Sequence, residues 1–483
     1  VNTGTNSSSP APQLTWHACI VAAPETAYGS ASHPQGMAQP WGRWALSFVP
    51  ADRRPLAWIG RGPCLVGWDE GASFTGTLVS ASRSYRNWAK NTPLHWNRPG
   101  ETTDAPTVAP ELADFKLPET ESDPLAPQPA DLEQILFGLG SFPFAGGDGQ
   151  ITVPAVALIG LPYLRTCLLW RSDFTAEAEH ILRLAEAGDP SPSAPEEELD
   201  GSDWKHLGGT VPRETWLNQL SAGIKRLQHG EATKFVMARD EIWRSSQPVP
   251  VKQVLHRLIS RDDQEGQQVS AWAFAIGNQV GASPEVLART QRGEFACRIL
   301  AGTTLPGYGP ELFDDPKEVR EHQVARDSVM ELLTQAGVTD VQASEPSILS
   351  LPNVDHLQSV VTGQVSDLVD SATITEVFHP TAAICGMPRQ VAMQLISQLE
   401  GMERGDFTGP VGIIAPNGDG QWNIALRCAQ TLTEDGVSDP DSAQIKAWRL
   451  LAGAGILPAS DPAREWDEMG RKMQLMRKAL RIE

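Results

Sequence analysis

The rhythm of apolar and polar positions changes along the chain. Before about residue 208, short apolar runs are broken by Gly and Pro; those at 44–49, 56–59 and 64–68 predict strands and turns. The run 153–160 predicts a further strand, and 176–187 carries a helical period. Beyond residue 208 the patterns lengthen. Trp216, Leu217, Leu220, Ile224 and Leu227 recur at helical spacing over 214–227, and Gly230 stops that helix. Strands are predicted at 233–239 and 270–276, and helices at 317–336 and 388–402. Two strands, 408–415 and 421–430, flank Asn417-Gly418-Asp419-Gly420, a strong hairpin signal. Asp461 and Pro462 open a last helix as cap and first-turn residue, running toward Leu480. Strands and helices mix without strict alternation, which favours an α+β fold over a doubly wound one. Residues 1–12 read as a disordered tail. The polar stretches 101–129, rich in Pro, and 188–203, with an acidic run, read as surface excursions from an amino-terminal part at 13–205. The denser part is 206–483.

Composition narrows the function. The chain has 483 residues with 41% hydrophobic residues, enough for a large core. Its formal charge of -20 argues against a nucleic-acid partner and against an electrostatic membrane anchor. A few buried Arg and Lys still allow an anionic substrate. The Cys at 19, 64, 167, 297, 385 and 428 include no C-x-x-C pair and are expected to be buried thiols. No membrane span or leader is visible, so the expected location is the cytoplasm.

Chemistry concentrates at a few positions. Glu318 with Glu321, and Glu465 with Glu468, stand three residues apart on predicted helices, and Lys472 follows four residues after Glu468. Two such helices facing each other can hold a hard divalent ion; for either pair taken alone, a solvated ion-paired face is the simpler explanation. Arg427 shares a strand face with small residues, which suits either a carboxylate ligand or a half-exposed sheet surface. Lys234 begins a strand beside Val236 and Ala238, as a desolvated base or as a snorkelling strand end. The segments around Gly302 and Gly453 lack bulk and allow either close approach of an anion or tight packing.

The order of segments says more than any one of them. KFVMARD at 234–240, GASPEVL at 281–287, RILAGTTLPG at 298–307, KEVREHQ at 317–323, FHPTAAICGMPR at 378–389, RGDFTGPVGI at 404–413, IALRCAQ at 424–430 and AGAGILPASDPAREWDEMGRK at 452–472 together resemble the chorismate-utilising enzymes. The resemblance runs from Glu214 to Leu480. It implies the chorismate-binding fold, anthranilate synthase component I-like, with two large sheets, outer helices and an active site in the cleft between them, so that 206–483 becomes the catalytic core. Glu321 and Glu468 would then be direct Mg²⁺ ligands, with Glu318 and Glu465 acting through metal-bound water. Gly302, Thr303, Arg427, Gly453 and Lys472 would hold the substrate carboxylates. His379, Ala383 and Phe407 would line the pocket, Lys234 would be the general base and Glu285 the general acid.

Within the family, side chains point to water chemistry. Ammonia-using members lack a Lys at the position of Lys234, and aminodeoxychorismate synthases carry a nucleophilic Lys where this chain has Ala301. No LLES-type tryptophan-binding segment is present, and no glutamine amidotransferase partner is expected. Ala383 and Phe407 match isochorismate synthases rather than salicylate synthases, which tend to carry Thr and Tyr there. The expectation is therefore an Mg²⁺-dependent isochorismate synthase. Salicylate synthase and a non-catalytic chorismate-binding protein are the alternatives. Ala382 and Gln421 depart from the family pattern, and the product's destination, menaquinone or a siderophore, is not written in the chain.

Overall fold

The computed structural model describes residues 14–21, 38–60, 62–99, 134–161, 165–187, 204–260, 271–304, 307–351, 354–366, 369–433 and 445–482. The expected tail at 1–12 and the two excursions at 101–129 and 188–203 lie outside the described residues.

The fold is α+β. Apolar residues crowd both faces of the central strands. In the strand Gly149–Leu161, Val156 and Leu158 join one buried cluster while Ala157 and Ile159 join a second. Alternate side chains of a strand point to opposite faces, so this part of the sheet separates two cores. The strand is paired on both edges, with Cys64–Gly76 and with Arg165–Arg171, so its backbone polar groups are satisfied within the core.

Strands from the two ends of the chain are hydrogen-bonded to each other. Pro55–Ile59 pairs antiparallel with Trp272–Ile276, and Gly138–Ser141 pairs antiparallel with Pro410–Ile414. The amino-terminal part therefore completes the same strand network as the carboxy-terminal part. Among the described residues, no helix is long and apolar enough to cross a membrane.

Several expected elements appear with changed limits. The run 44–49, expected as a strand, belongs mostly to the helix Ala38–Ser47. Trp41, Trp44 and Ala45 are buried at helical spacing, a period that the short run alone does not display. The expected strand 421–430 is broken into Gly420–Ile424 and Cys428–Leu432. The Leu426 N–H turns back to the Ile424 carbonyl at 2.8 Å, and Arg427 takes φ 50°. The last helix is two, Pro462–Lys472 and Gln474–Leu480, meeting at Met473. The strand expected to end at 239 continues as Lys234–Ser245.

Candidate active site

The strand Lys234–Ser245 runs antiparallel to Ala447–Ile456 along their full shared length. That pairing sets Val236 opposite Gly455 and Ala238 opposite Gly453. Two glycines on one face leave a trough, and Lys234 lies over it at Gly455. A Cβ at Gly455 would stand 2.7 Å from Lys234 Cε and 3.3 Å from its Nζ. Lys472 Nζ donates to the Gly453 carbonyl at 2.9 Å. The stripe of small residues in the sequence thus makes room for the Lys234 side chain and offers a backbone carbonyl to Lys472.

Glu285 lies between the strands Gln279–Ser283 and Val286–Gln291. Ser283 holds it in place. Its Oγ accepts the Glu285 N–H at 3.3 Å and donates to the Ile424 carbonyl at 2.6 Å, while the Ile424 N–H donates to the Glu285 carbonyl at 3.0 Å. Part of the Glu285 side chain stays accessible, as in a cleft, although protein surrounds the rest. Burial pushes its carboxyl above the usual carboxylate range, and the Lys234 ammonium acts in the opposite direction. Lys234 and Glu285 are therefore within electrostatic reach of one another.

The helix Pro462–Lys472 begins at Asp461, whose carboxylate accepts the Arg464 N–H at 2.9 Å, with Pro462 in the first turn. This cap orients Glu465, Glu468 and Lys472 along one side. Glu468 Oε1 meets Lys472 Nζ at 2.7 Å. Burial raises the Glu465 carboxyl, Ser460 bonding opposes the rise, and the charge of Glu468 adds to it. Arg427 reaches the same helix end and donates to the Lys472 carbonyl at 3.3 Å. Burial lowers the affinity of its guanidinium for its proton, and Glu468 opposes that. The left-handed backbone at Arg427 ends one strand before the next begins, which frees its side chain from the sheet face on which the sequence pattern placed it.

The other expected carboxylate pair lies on the helix Pro316–Gln335. Gly302 takes φ 81° at an irregularity in the strand Glu294–Thr304, and a Cβ there would stand 3.3 Å from the Glu318 carbonyl oxygen and 3.5 Å from Glu318 Cβ. The first turn of the helix therefore rests on the Gly302 bulge. His322, buried, bonds Ala301 O at 3.1 Å and Ser359 Oγ at 2.8 Å and so pins helix to sheet. The side chains of Glu321 and Thr303 lie outside the described residues. Among the described residues, no three His, Cys, Asp or Glu side chains gather closely enough to hold a metal ion. The donor types do fit a hard divalent ion: Glu465 and Glu468 are carboxylates, and the charge of Glu468 adds to the cost of ionising Glu465, which a cation would relieve.

His379 caps the carboxy end of the helix Ser371–Phe378. Its Nε2 bonds the Phe144 carbonyl at 2.9 Å, and its buried Nδ1 has no partner. Burial pulls its pKa down to about 4, aided by Arg389 and Arg404 against the Phe144 bond, so the ring is neutral at neutral pH. A neutral ring donating from Nε2 leaves Nδ1 as an acceptor. Ala383 is exposed four residues on. Phe407 is 1% exposed and packs in a core cluster.

Sequence reasoning gives no separate role to four residues that build this site. Gly455 gives Lys234 its berth, Ser283 fixes Glu285, and His322 and His356 hold the Gly302 bulge, the latter through a bond to its backbone. Gly455 carried a legible signal, since it sits two residues from Gly453 on the same strand face.

The chain is similar to known proteins. The family model described as "Chorismate binding enzyme" matches residues 164–481. The isochorismate synthase DhbC of Bacillus subtilis is 28% identical over 306 residues, covering 60% of this chain and 73% of that protein. The isochorismate synthase EntC of Escherichia coli K12 is 33% identical over 280 residues, covering 55% of this chain and 67% of that one. The solved structure of MenF, the menaquinone-specific isochorismate synthase of Escherichia coli, superposes with a TM-score of 0.67 at 20% identity, covering 97% of this chain and 95% of its own. Anthranilate synthase component I of Streptococcus pneumoniae TIGR4 gives 0.55 at 18% identity over 70% of this chain and 80% of its own, a likeness of fold. With the family model spanning well over half of its residues, the strands of Lys234 and Gly453 among them, the chain belongs to the chorismate-binding enzymes.

Proposed function

We propose that the chain is an isochorismate synthase that adds water at C2 of chorismate and releases the C4 hydroxyl. The observation that carries the reading is the proximity of Lys234, berthed over Gly455, to Glu285, a carboxyl whose hold on its proton burial strengthens. Names of the relatives support it. The reaction requires the Lys234 ammonium to lose its proton to solvent first; as the amine it then takes a proton from water as the water oxygen bonds to C2. The ring double bonds shift, the C4–O bond breaks, and Glu285 gives its proton to the departing oxygen, which leaves as water. Return of one proton from Lys234 to Glu285 through solvent resets both groups.

Chorismate is a dianion, and the cations at hand are Arg427 and Lys472. Burial of Arg427 strengthens its attraction for a carboxylate. Gly302, Thr303 and the Gly453 backbone complete the carboxylate contacts in this reading, and His379 Nδ1 accepts a substrate hydroxyl. We also assign Mg²⁺ as cofactor, held by Glu321 and Glu468 with Glu318 and Glu465 in the outer layer. A divalent ion held by these carboxylates would supply Lewis acidity that makes the substrate ring more electrophilic.

Chromatography of the products formed from chorismate by the purified chain alone, with and without Mg²⁺, tests the proposal. Isochorismate formed only with Mg²⁺ is the expected result. Salicylate as sole product would make the chain a salicylate synthase, and no consumption of chorismate would make it a binding protein.

A further inference from the structure

A cationic cavity is lined by none of the residues of the proposed active site. It has a volume of about 480 Å³ and opens between the helix Leu78–Asn91, the start of the helix Ser371–Phe378 and the hairpin tip at Asn417. Arg83, Arg86 and Lys90 line it. They stand three and four residues apart on one helix, where like charges repel and weaken the helix. In a chain of formal charge -20, this concentration of positive charge calls for a compensating group.

The carboxylate that lines the cavity does not supply enough. Asp370 is buried and already accepts from Ser82 Oγ at 2.7 Å, from the Thr373 N–H at 2.8 Å, from Thr373 Oγ1 at 2.7 Å and from Arg86 Nη1 at 3.1 Å. Its charge is spent on capping a helix and anchoring Arg86. Arg86 Nη2 donates to the Asn417 carbonyl at 3.1 Å, and its buried Nε has no partner. Gly418 lets it approach, since a Cβ there would stand 2.9 Å from Arg86 Cζ. Arg83 and Lys90 are exposed, and no described carboxylate pairs with either. Two exposed cations thus flank one fixed guanidinium at the rim of a cavity sized for a small metabolite.

We propose that this cavity is a binding site for a small polyvalent oxyanion, a phosphorylated or polycarboxylate metabolite, separate from the chorismate site. Arg83 and Lys90 clasp the anion, and Arg86 provides the fixed donor. The inference is independent of the proposed activity, since none of these residues belongs to the catalytic set.

Calorimetric titration of the full chain tests it, with pyrophosphate and, separately, citrate in metal-free buffer at about 0.15 M salt, where charges more than about 8 Å apart are screened. One site is expected for at least one probe; pyrophosphate alone identifies a phosphate site and citrate alone a polycarboxylate site. The double variant Arg83→Ser/Lys90→Ser changes only exposed side chains and keeps its melting temperature, yet should bind at least tenfold more weakly. Arg427→Ser should bind the same probe as the parent does. Absence of binding by both probes overturns the proposal. So does binding lost in Arg427→Ser and kept in the double variant, which would place the anion in the chorismate site.

Discussion

Lys234 owes its position to Gly455: the lysine side chain crosses the space that any Cβ at 455 would occupy, with Cε 2.7 Å away. A contact that short forces a shift, and the flexible lysine stem gives way before the paired backbone does. Gly455 has no left-handed φ, so alanine there adds a methyl group without backbone strain. Gly455→Ala should therefore leave the melting temperature nearly unchanged while moving the Lys234 amine by a substantial fraction of an ångström. A misplacement of about 1 Å can cost about two orders of magnitude in rate. Steady-state kinetics with chorismate should show a fall in kcat approaching that of Lys234→Ala. Full activity in Gly455→Ala would mean that Lys234 is not the base.

Glu285 is the partner whose role depends on its proton. Burial keeps it protonated above the ordinary carboxylate range, and Lys234 limits the rise. Activity that needs the protonated form is present below the raised pKa and lost as pH climbs through it. Glu285→Gln keeps the shape and the neutral charge but has no proton to give. Its kcat should fall by about 10²–10⁴-fold, with KM changing far less, and the alkaline fall of kcat that belongs to Glu285 should be gone from the residual rate. A variant with parental kcat would remove Glu285 from the chemistry.

How much of this was legible in the sequence differs by residue. The helix face carrying Glu465, Glu468 and Lys472 was readable, because Asp461 and Pro462 mark the helix start and the spacing does the rest. The berth of Lys234 was only half readable: Gly453 and Gly455 stand out together as a segment without bulk, but Gly455 matters through a residue more than two hundred positions away. Arg427 was placed on a sheet face by alternation, and alternation fails where one residue takes φ 50° and divides the strand. Nothing in local composition announces that turn, since Arg has no preference for it. The run at 44–49 misled for the opposite reason, because a helical period needs more residues than a short apolar run contains.

His379 gives a stability effect with a definite sign. The unfolded ring titrates near its ordinary value of 6.5 and the folded one at about 4. Between those values the unfolded chain takes up a proton that the folded chain refuses. Stability is whole above about pH 6.5 and declines as pH falls toward 4, at up to ~1.4 kcal/mol per pH unit from this one group. His379→Gln can retain the donor to the Phe144 carbonyl and does not titrate. Urea midpoints measured between pH 6.5 and pH 5 should fall more steeply for the parent than for His379→Gln. Parallel curves would show that the buried ring does not govern this range.

Arg404 and Glu400 make the strongest prediction about the scaffold beneath the Lys234 strand. Both are almost fully buried, and two bonds join them, Arg404 Nε to Glu400 Oε1 at 2.7 Å and Nη2 to Oε2 at 2.6 Å. Each also holds backbone: Arg404 donates to the carbonyls of Val236 and Ile384, both at 3.0 Å, and Glu400 accepts the Ala238 N–H at 2.8 Å. The guanidinium lies 4.1 Å from the centre of the Phe144 ring. Val236 and Ala238 are opposite Gly455 and Gly453, so the pair supports the strand from which Lys234 projects. Glu400→Ala leaves a buried guanidinium without its counter-charge, which should cost about 3–5 kcal/mol in urea unfolding. In Arg404→Met/Glu400→Leu no buried charge is left over, so the double variant should recover part of that loss while the Val236 and Ala238 backbone groups stay unpaired. Its kcat should remain below the parent's even where stability returns, because the strand end has lost its anchor. If the double variant is as unstable as Glu400→Ala, the cost lies in the lost backbone bonds and not in an uncompensated charge.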